Sequence, residues 1–63
     1  MKDFVEKISI LTPATPEMLS DCRDESEALL VGALVMRGMC SEMIREVLGD
    51  YRRIKSRLES EMK

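Results

Sequence analysis

The fold of this chain is decided by residues 28–36, which read ALLVGALVM. None of these nine residues carries a charged or polar side chain. Such a segment is typical of a helix that is covered on every side, because no face of it favours water. It is too short to cross a membrane, which takes about 20 apolar residues. We predict a central helix from about Glu25 to Arg37, covered either by three or four short helices of the same chain or by a second subunit.

Two prolines separate the N-terminal segment from the rest of the chain. Residues 12–16 read TPATP, and each proline displaces the residue before it from the helical region. Thr15 is suited to cap a short helix whose first residue is Pro16. We therefore predict an N-terminal arm at residues 1–15, either helical or extended, followed by a single helical domain at residues 16–63.

A polar run at residues 20–27 connects this short helix to the central one. Asp24 and Glu27 have the spacing of a capping box, in which an acid three residues into the helix reaches back to the cap. This spacing favours a junction between two helices over one long exposed helix. We expect the whole run to lie at the surface.

No group of residues has the composition of a catalytic or metal site. The chain has no histidine, so its serines and cysteines have no paired base, and the usual zinc patterns are excluded for Cys22 and Cys40. Residues 1–11 contain four charged side chains and therefore lack the apolar region of a signal peptide. We predict a non-enzymatic, cytoplasmic protein with reduced cysteines, no metal and no cofactor.

Two glycines predict the ends of the helices that follow. Gly38 is expected to end the central helix, and Ser41 to cap the next one. Gly49 is expected to end that second helix, and Asp50 to cap a third that spans residues 51–62. The expected fold is therefore all-α, with three or four short helices in a trihelical arrangement.

Three helices with short glycine turns, the last of them basic, are the parts of a helix-turn-helix. The segments LVMRGMCS (34–41), MIREVLG (43–49) and IKSRL (54–58) resemble the helix-turn-helix of LuxR-type regulators and of the DNA-binding region of bacterial sigma factors. The resemblance covers residues 27–63 and implies a dimeric, DNA-binding transcriptional regulator. The residues that would face DNA by position are Arg52, Arg53, Lys55, Ser56 and Arg57.

A second interpretation is a dimeric protein–protein interaction module that does not contact DNA. Residues 1–31 hold three basic and seven acidic side chains, whereas residues 32–63 hold seven basic and five acidic ones. A homodimer could use these ends to dock on a larger regulatory protein, as an adaptor, connector or antirepressor does. Its basic C-terminal residues would then form a solvated surface. The residues expected in the core or the dimer interface are Leu29, Leu30, Ala33, Leu34, Met36, Ile44, Leu48, Ile54 and Leu58.

Overall fold

The computed structural model describes residues 3–61, and every regular element in that range is a helix. Helix α1 spans Asp3–Leu11, α2 spans Pro16–Leu19, α3 spans Glu25–Met36 and α4 spans Ser41–Glu61. The predicted all-α class is confirmed, and the N-terminal segment is helical rather than extended. Met62, the predicted last residue of the final helix, lies outside the described residues. None of the helices within residues 3–61 is both long and apolar enough to cross a membrane.

Helix α3 packs against all three other helices. Its buried residues include Ala28, Val31 and Gly32. Helix α1 crosses it at Gly32, where an added Cβ would lie 3.1 Å from Thr12 Cγ2 and 3.2 Å from Ile8 Cγ2. The missing side chain at Gly32 therefore allows the two helices to approach closely.

One side of α3 is left uncovered by the chain. Leu29 is 57% exposed, Met36 is 65% exposed and Ala33 is also exposed, whereas Leu30 and Leu34 are half-buried. Helices α1 and α2 have only nine and four residues, and α4 packs along a different side of α3, so together they do not enclose it. Of the two predicted ways of covering the central helix, complete wrapping by helices of the same chain is therefore wrong.

The starts of α2 and α3 follow the predicted caps, but the Glu27 carboxylate accepts from the N–H of Arg23 rather than from that of Asp24. The Thr15 side chain accepts a hydrogen bond from the Met18 backbone N–H at 3.3 Å, and Pro16 is the first residue of α2. The Asp24 side chain accepts one from the backbone N–H of Glu27 at 3.0 Å. The predicted junction between α2 and α3 is confirmed.

Gly38 ends α3 as predicted. It has φ of +80°, its N–H donates to the Val35 carbonyl, and the N–H of Met39 donates to the Leu34 carbonyl. This is the Schellman arrangement, which satisfies carbonyls that a helix end leaves free. Helix α4 then begins at Ser41 itself, so Ser41 is a helical residue and not the predicted cap.

The predicted helix end at Gly49 is wrong. Helix α4 continues through Gly49 and Asp50 for 21 residues, so the two helices predicted at 41–48 and 51–62 are one. A glycine inside a helix costs up to about 1 kcal/mol, and packing elsewhere along the helix can offset that cost. Here the cost is offset by contacts on both sides of Gly49, since Leu48 is buried and Arg52 forms an ion pair with α3. The structure has no turn between the predicted bracing and recognition helices.

The core combines side chains from the four helices and the connections between them. The polar run at 20–27 is not wholly exposed, because Cys22 and Glu27 are buried. The backbone N–H of Cys22 donates to the Leu19 carbonyl, which folds the chain inward after α2. Cys22 and the exposed Cys40 are not joined by a disulfide. The buried apolar residues are Ile8, Ala14, Leu19, Cys22, Ala28, Val31, Ile44 and Leu48.

Candidate functional site

A carboxylate in the protein interior, that of Glu27, is held by Arg52 of α4. The Arg52 Nε donates to Glu27 Oε2 at 3.0 Å, and Arg52 Nη2 donates to Glu27 Oε1 at 2.8 Å. The backbone N–H of Arg23 also donates to Oε1 at 2.8 Å, and Arg52 Nη2 donates to the Asp21 carbonyl. Both carboxylate oxygens are therefore satisfied, as a buried charge requires.

The pKa values of the two partners reflect this geometry. The hydrogen bonds from Arg52 hold the pKa of Glu27 below its usual value, although burial acts in the opposite direction. The same contact raises the pKa of Arg52. The pair is therefore charged at neutral pH and fastens α4 to the first turn of α3.

A second ion pair lies one turn further along. Lys55 Nζ is 3.2 Å from Asp24 Oδ2, and both side chains are partly exposed. The pKa of Asp24 is lowered first by the hydrogen bond from the Glu27 N–H and then by Lys55, while the pKa of Lys55 is raised by Asp24. Because Arg52 meets Glu27 and Lys55 meets Asp24, α3 and α4 run antiparallel. Residues 56–61 consequently extend past the beginning of α3.

The five residues predicted to face DNA do not share one exposed face. Arg52 is paired with Glu27 of α3 and Lys55 with the residue that caps α3, whereas Arg53 is paired with Asp50 on α4 itself. Ser56 and Arg57 are exposed. On a continuous helix with 3.6 residues per turn, this cluster is spread around the axis.

The residues predicted for the core or a dimer interface divide into three groups, of which one, Leu30 and Leu34, is half-buried. Ile44 and Leu48 are in the core. Ile54 is 68% exposed and Leu58 56% exposed, as are the α3 residues Leu29, Ala33 and Met36. Apart from Ala33, the exposed members are large apolar side chains that the single chain does not cover.

Sequence reasoning missed the Glu27–Arg52 pair. Glu27 was interpreted only as part of a helix cap, since the two residues are 25 positions apart. One signal was present in the sequence. Asp24 and Glu27 are three residues apart at the start of α3, and Arg52 and Lys55 are three residues apart in the next long helix. If the two helices are antiparallel, each acid can pair with one of the cations.

Within residues 3–61, no cluster of three or more side chains that could hold a metal ion is present. The chain matches no protein-family model, and neither a curated protein nor a solved structure matches it.

Proposed function

We propose that the chain is a dimeric helical protein–protein interaction module. The observation that carries this proposal is the exposure of Ile54 and Leu58 in the C-terminal half of α4, at 68% and 56%. Burying a side chain of this size against a partner contributes about 1.5–3 kcal/mol. A chain this short has a marginal core of its own, so burial at an interface is a substantial gain.

The charges favour a protein target over nucleic acid. Nucleic-acid affinity depends on how many phosphates the basic side chains neutralise. Arg52 and Lys55 are already neutralised by acids of α3, and the chain holds 12 acidic against 10 basic residues. The module would thus act on a larger regulatory protein, in the manner of an adaptor or connector.

Two measurements test this function together. Sedimentation velocity over a wide range of protein concentrations gives the oligomeric state, and fluorescence anisotropy with labelled duplexes at low salt reports DNA binding. We expect a dimer and no salt-sensitive binding of the duplex. The contrary result is a monomer that binds duplex DNA and loses that binding on Arg53→Ala, a substitution at an exposed residue that leaves the core intact.

A further inference from the structure

The continuity of α4 aligns three rows of residues that a break at Gly49 would have separated. One row consists of Leu48, Arg52 and Lys55, which face α3 through the core and the two ion pairs. The row one residue earlier at each step is apolar, and we call it the α4 stripe. It consists of Val47, Tyr51, Ile54 and Leu58.

The α4 stripe has the 4, 3, 4 spacing that characterises helices pairing side by side. Successive residues are about 100° apart on a helix, so the stripe lies about a quarter-turn away from the row that faces α3. Val47 and Tyr51 are half-buried, whereas Ile54 and Leu58 are exposed. Helix α2 lies on the same side of α4 as α3, because Met18 of α2 and Val31 of α3 line one groove together with Leu48. Tyr51 also packs against the core, so the part of the stripe that is open to a partner is its C-terminal half, at Ile54 and Leu58.

A third row borders the stripe on the side away from α3, and we call it the charged flank. It consists of Glu46, Asp50, Arg53 and Arg57, all exposed. Its N-terminal half is thus acidic and its C-terminal half is basic. When two such rows lie side by side and antiparallel, the acidic half of each therefore lies beside the basic half of the other.

We propose that a second copy of this chain binds along the α4 stripe with its α4 antiparallel. The inference rests on the dimeric interaction module proposed above and specifies its interface. An axis between Tyr51 and Ile54 sets Tyr51 against Ile54 of the second copy and Val47 against Leu58. The two charged flanks then meet, with Glu46 near Arg57 and Asp50 near Arg53 of the opposite chain, each within about two residues of register.

A parallel pair lacks this complementarity. In parallel helices the flank on one side of the seam meets the opposite flank of the partner. The charged flank of one copy would then face the partner's Arg52 and Lys55 row, which α3 already occupies. The antiparallel arrangement brings the two open flanks together and leaves both α3 helices in place.

The first test compares two isoleucines of similar exposure on different helices. Ile54 is 68% exposed in the stripe, and Ile10 is 77% exposed on α1. We expect Ile54→Glu to convert the dimer to a monomer by sedimentation velocity, with unchanged helicity by circular dichroism. Ile10→Glu should leave the dimer intact.

Loss of the dimer with Ile10→Glu but not with Ile54→Glu would place the interface elsewhere and overturn the α4 proposal, while the dimeric module would stand. A wild-type chain that is monomeric at every concentration overturns both.

The second test addresses orientation through Glu46 and Arg57. We expect Glu46→Arg and Arg57→Glu each to weaken dimerisation about two- to thirtyfold at low salt, because each sets like charges opposite one another twice in the symmetric dimer. The double variant should restore the wild-type dissociation constant. In a parallel dimer these residues do not meet, so additive losses without restoration contradict the antiparallel arrangement even if the Ile54 variant fails to fold.

A distance measurement gives an independent readout of orientation. A spin label can be attached at Ser60→Cys in a Cys40→Ser background, which removes the exposed thiol and leaves Cys22 buried. In the antiparallel pair, the two labelled positions are separated by about 22 Å along the helix axes. In a parallel pair this axial separation is close to zero, and the two positions are only about 10 Å apart, which is the distance between the helix axes. Strong dipolar broadening from the short distance overturns the proposal.

Discussion

The buried carboxylate of Glu27 is neutralised by one partner, the guanidinium of Arg52. The Glu27 side chain is 4% exposed, and two of its three hydrogen bonds come from Arg52. Removing the partner of a buried carboxylate leaves a charge without compensation, which costs more than the pair itself contributes. We therefore expect Arg52→Met to lower the free energy of unfolding by about 1–3 kcal/mol in urea denaturation. Arg53→Met, which removes an exposed pair with Asp50, should change little. Equal losses in the two variants would contradict the role given to Arg52.

The same pair predicts a pH dependence. The pKa of Glu27 is lowered in the folded protein, so its carboxylate adds stability at pH values above its ordinary pKa of 4.5. This contribution is lost as the pH falls below 4.5 and through the folded-state pKa. We expect the difference in unfolding free energy between wild type and Glu27→Gln to be largest near neutral pH and to shrink in acid.

The pKa of Asp24 is also lowered, so its titration contributes to the same pH dependence and has to be removed in a control. The Glu27→Gln comparison is therefore repeated in an Asp24→Asn background, in which the Asp24 carboxylate no longer titrates. A difference that stays constant from neutral to acidic pH in both backgrounds would show that the Glu27 carboxylate is not stabilised by folding.

Gly49 and Gly38 provide a matched pair of glycine substitutions. A Cβ at either position meets no atom within 4 Å, but only Gly38 has a positive φ. We expect Gly49→Ala to raise the free energy of unfolding by about 0.5–1 kcal/mol, because alanine is the better helix former. Gly38→Ala should lower it by about 1–2 kcal/mol, because a Cβ is strained in the left-handed region. A destabilised Gly49→Ala variant in thermal melts would indicate that α4 bends there.

At the level of helices, the sequence predicted what is determined locally. The start of α2 at Pro16, the start of α3 after Asp24 and its end before Gly38 all depend on caps within four residues of the boundary. The continuity of α4 depends instead on contacts with α3 that lie about 25–31 residues away in the chain. Local rules do not include these contacts, and they therefore predict a helix end at Gly49. The resemblance to a helix-turn-helix likewise takes no account of these contacts, and it therefore assigns Arg52 and Lys55 to a DNA-facing surface.

The crossing of α1 over α3 at Gly32 yields a prediction about helix packing. An alanine there gains helix propensity, but its Cβ would lie 3.1 Å and 3.2 Å from methyl groups of Thr12 and Ile8. Ile8 is buried and cannot easily move away, so overpacking should outweigh the gain. We expect Gly32→Ala to lower the melting temperature and to speed amide hydrogen exchange in α1 more than in the C-terminal part of α4. Gly49→Ala is the control, since it adds the same methyl group where space is open.

At the scale of the whole molecule, the small core and the exposed α4 stripe have a joint consequence. The molecule is 37 Å in its longest dimension, and α4 alone measures about 31 Å. A helix that spans most of the protein but is covered by its own chain on one side only is stabilised further when a second copy covers the stripe.

Stability should therefore depend on protein concentration. Association that favours the folded state raises the melting temperature as concentration increases, whereas the melting temperature of a monomer is independent of it. We expect the wild-type and Ile10→Glu proteins to show this increase by circular dichroism, and Ile54→Glu to melt at one temperature throughout. If the wild type also melts at a constant temperature, the four helices are stable without a partner, and the exposed side chains of α4 require another explanation. If Ile54→Glu retains the concentration dependence, the second copy binds a surface other than the α4 stripe.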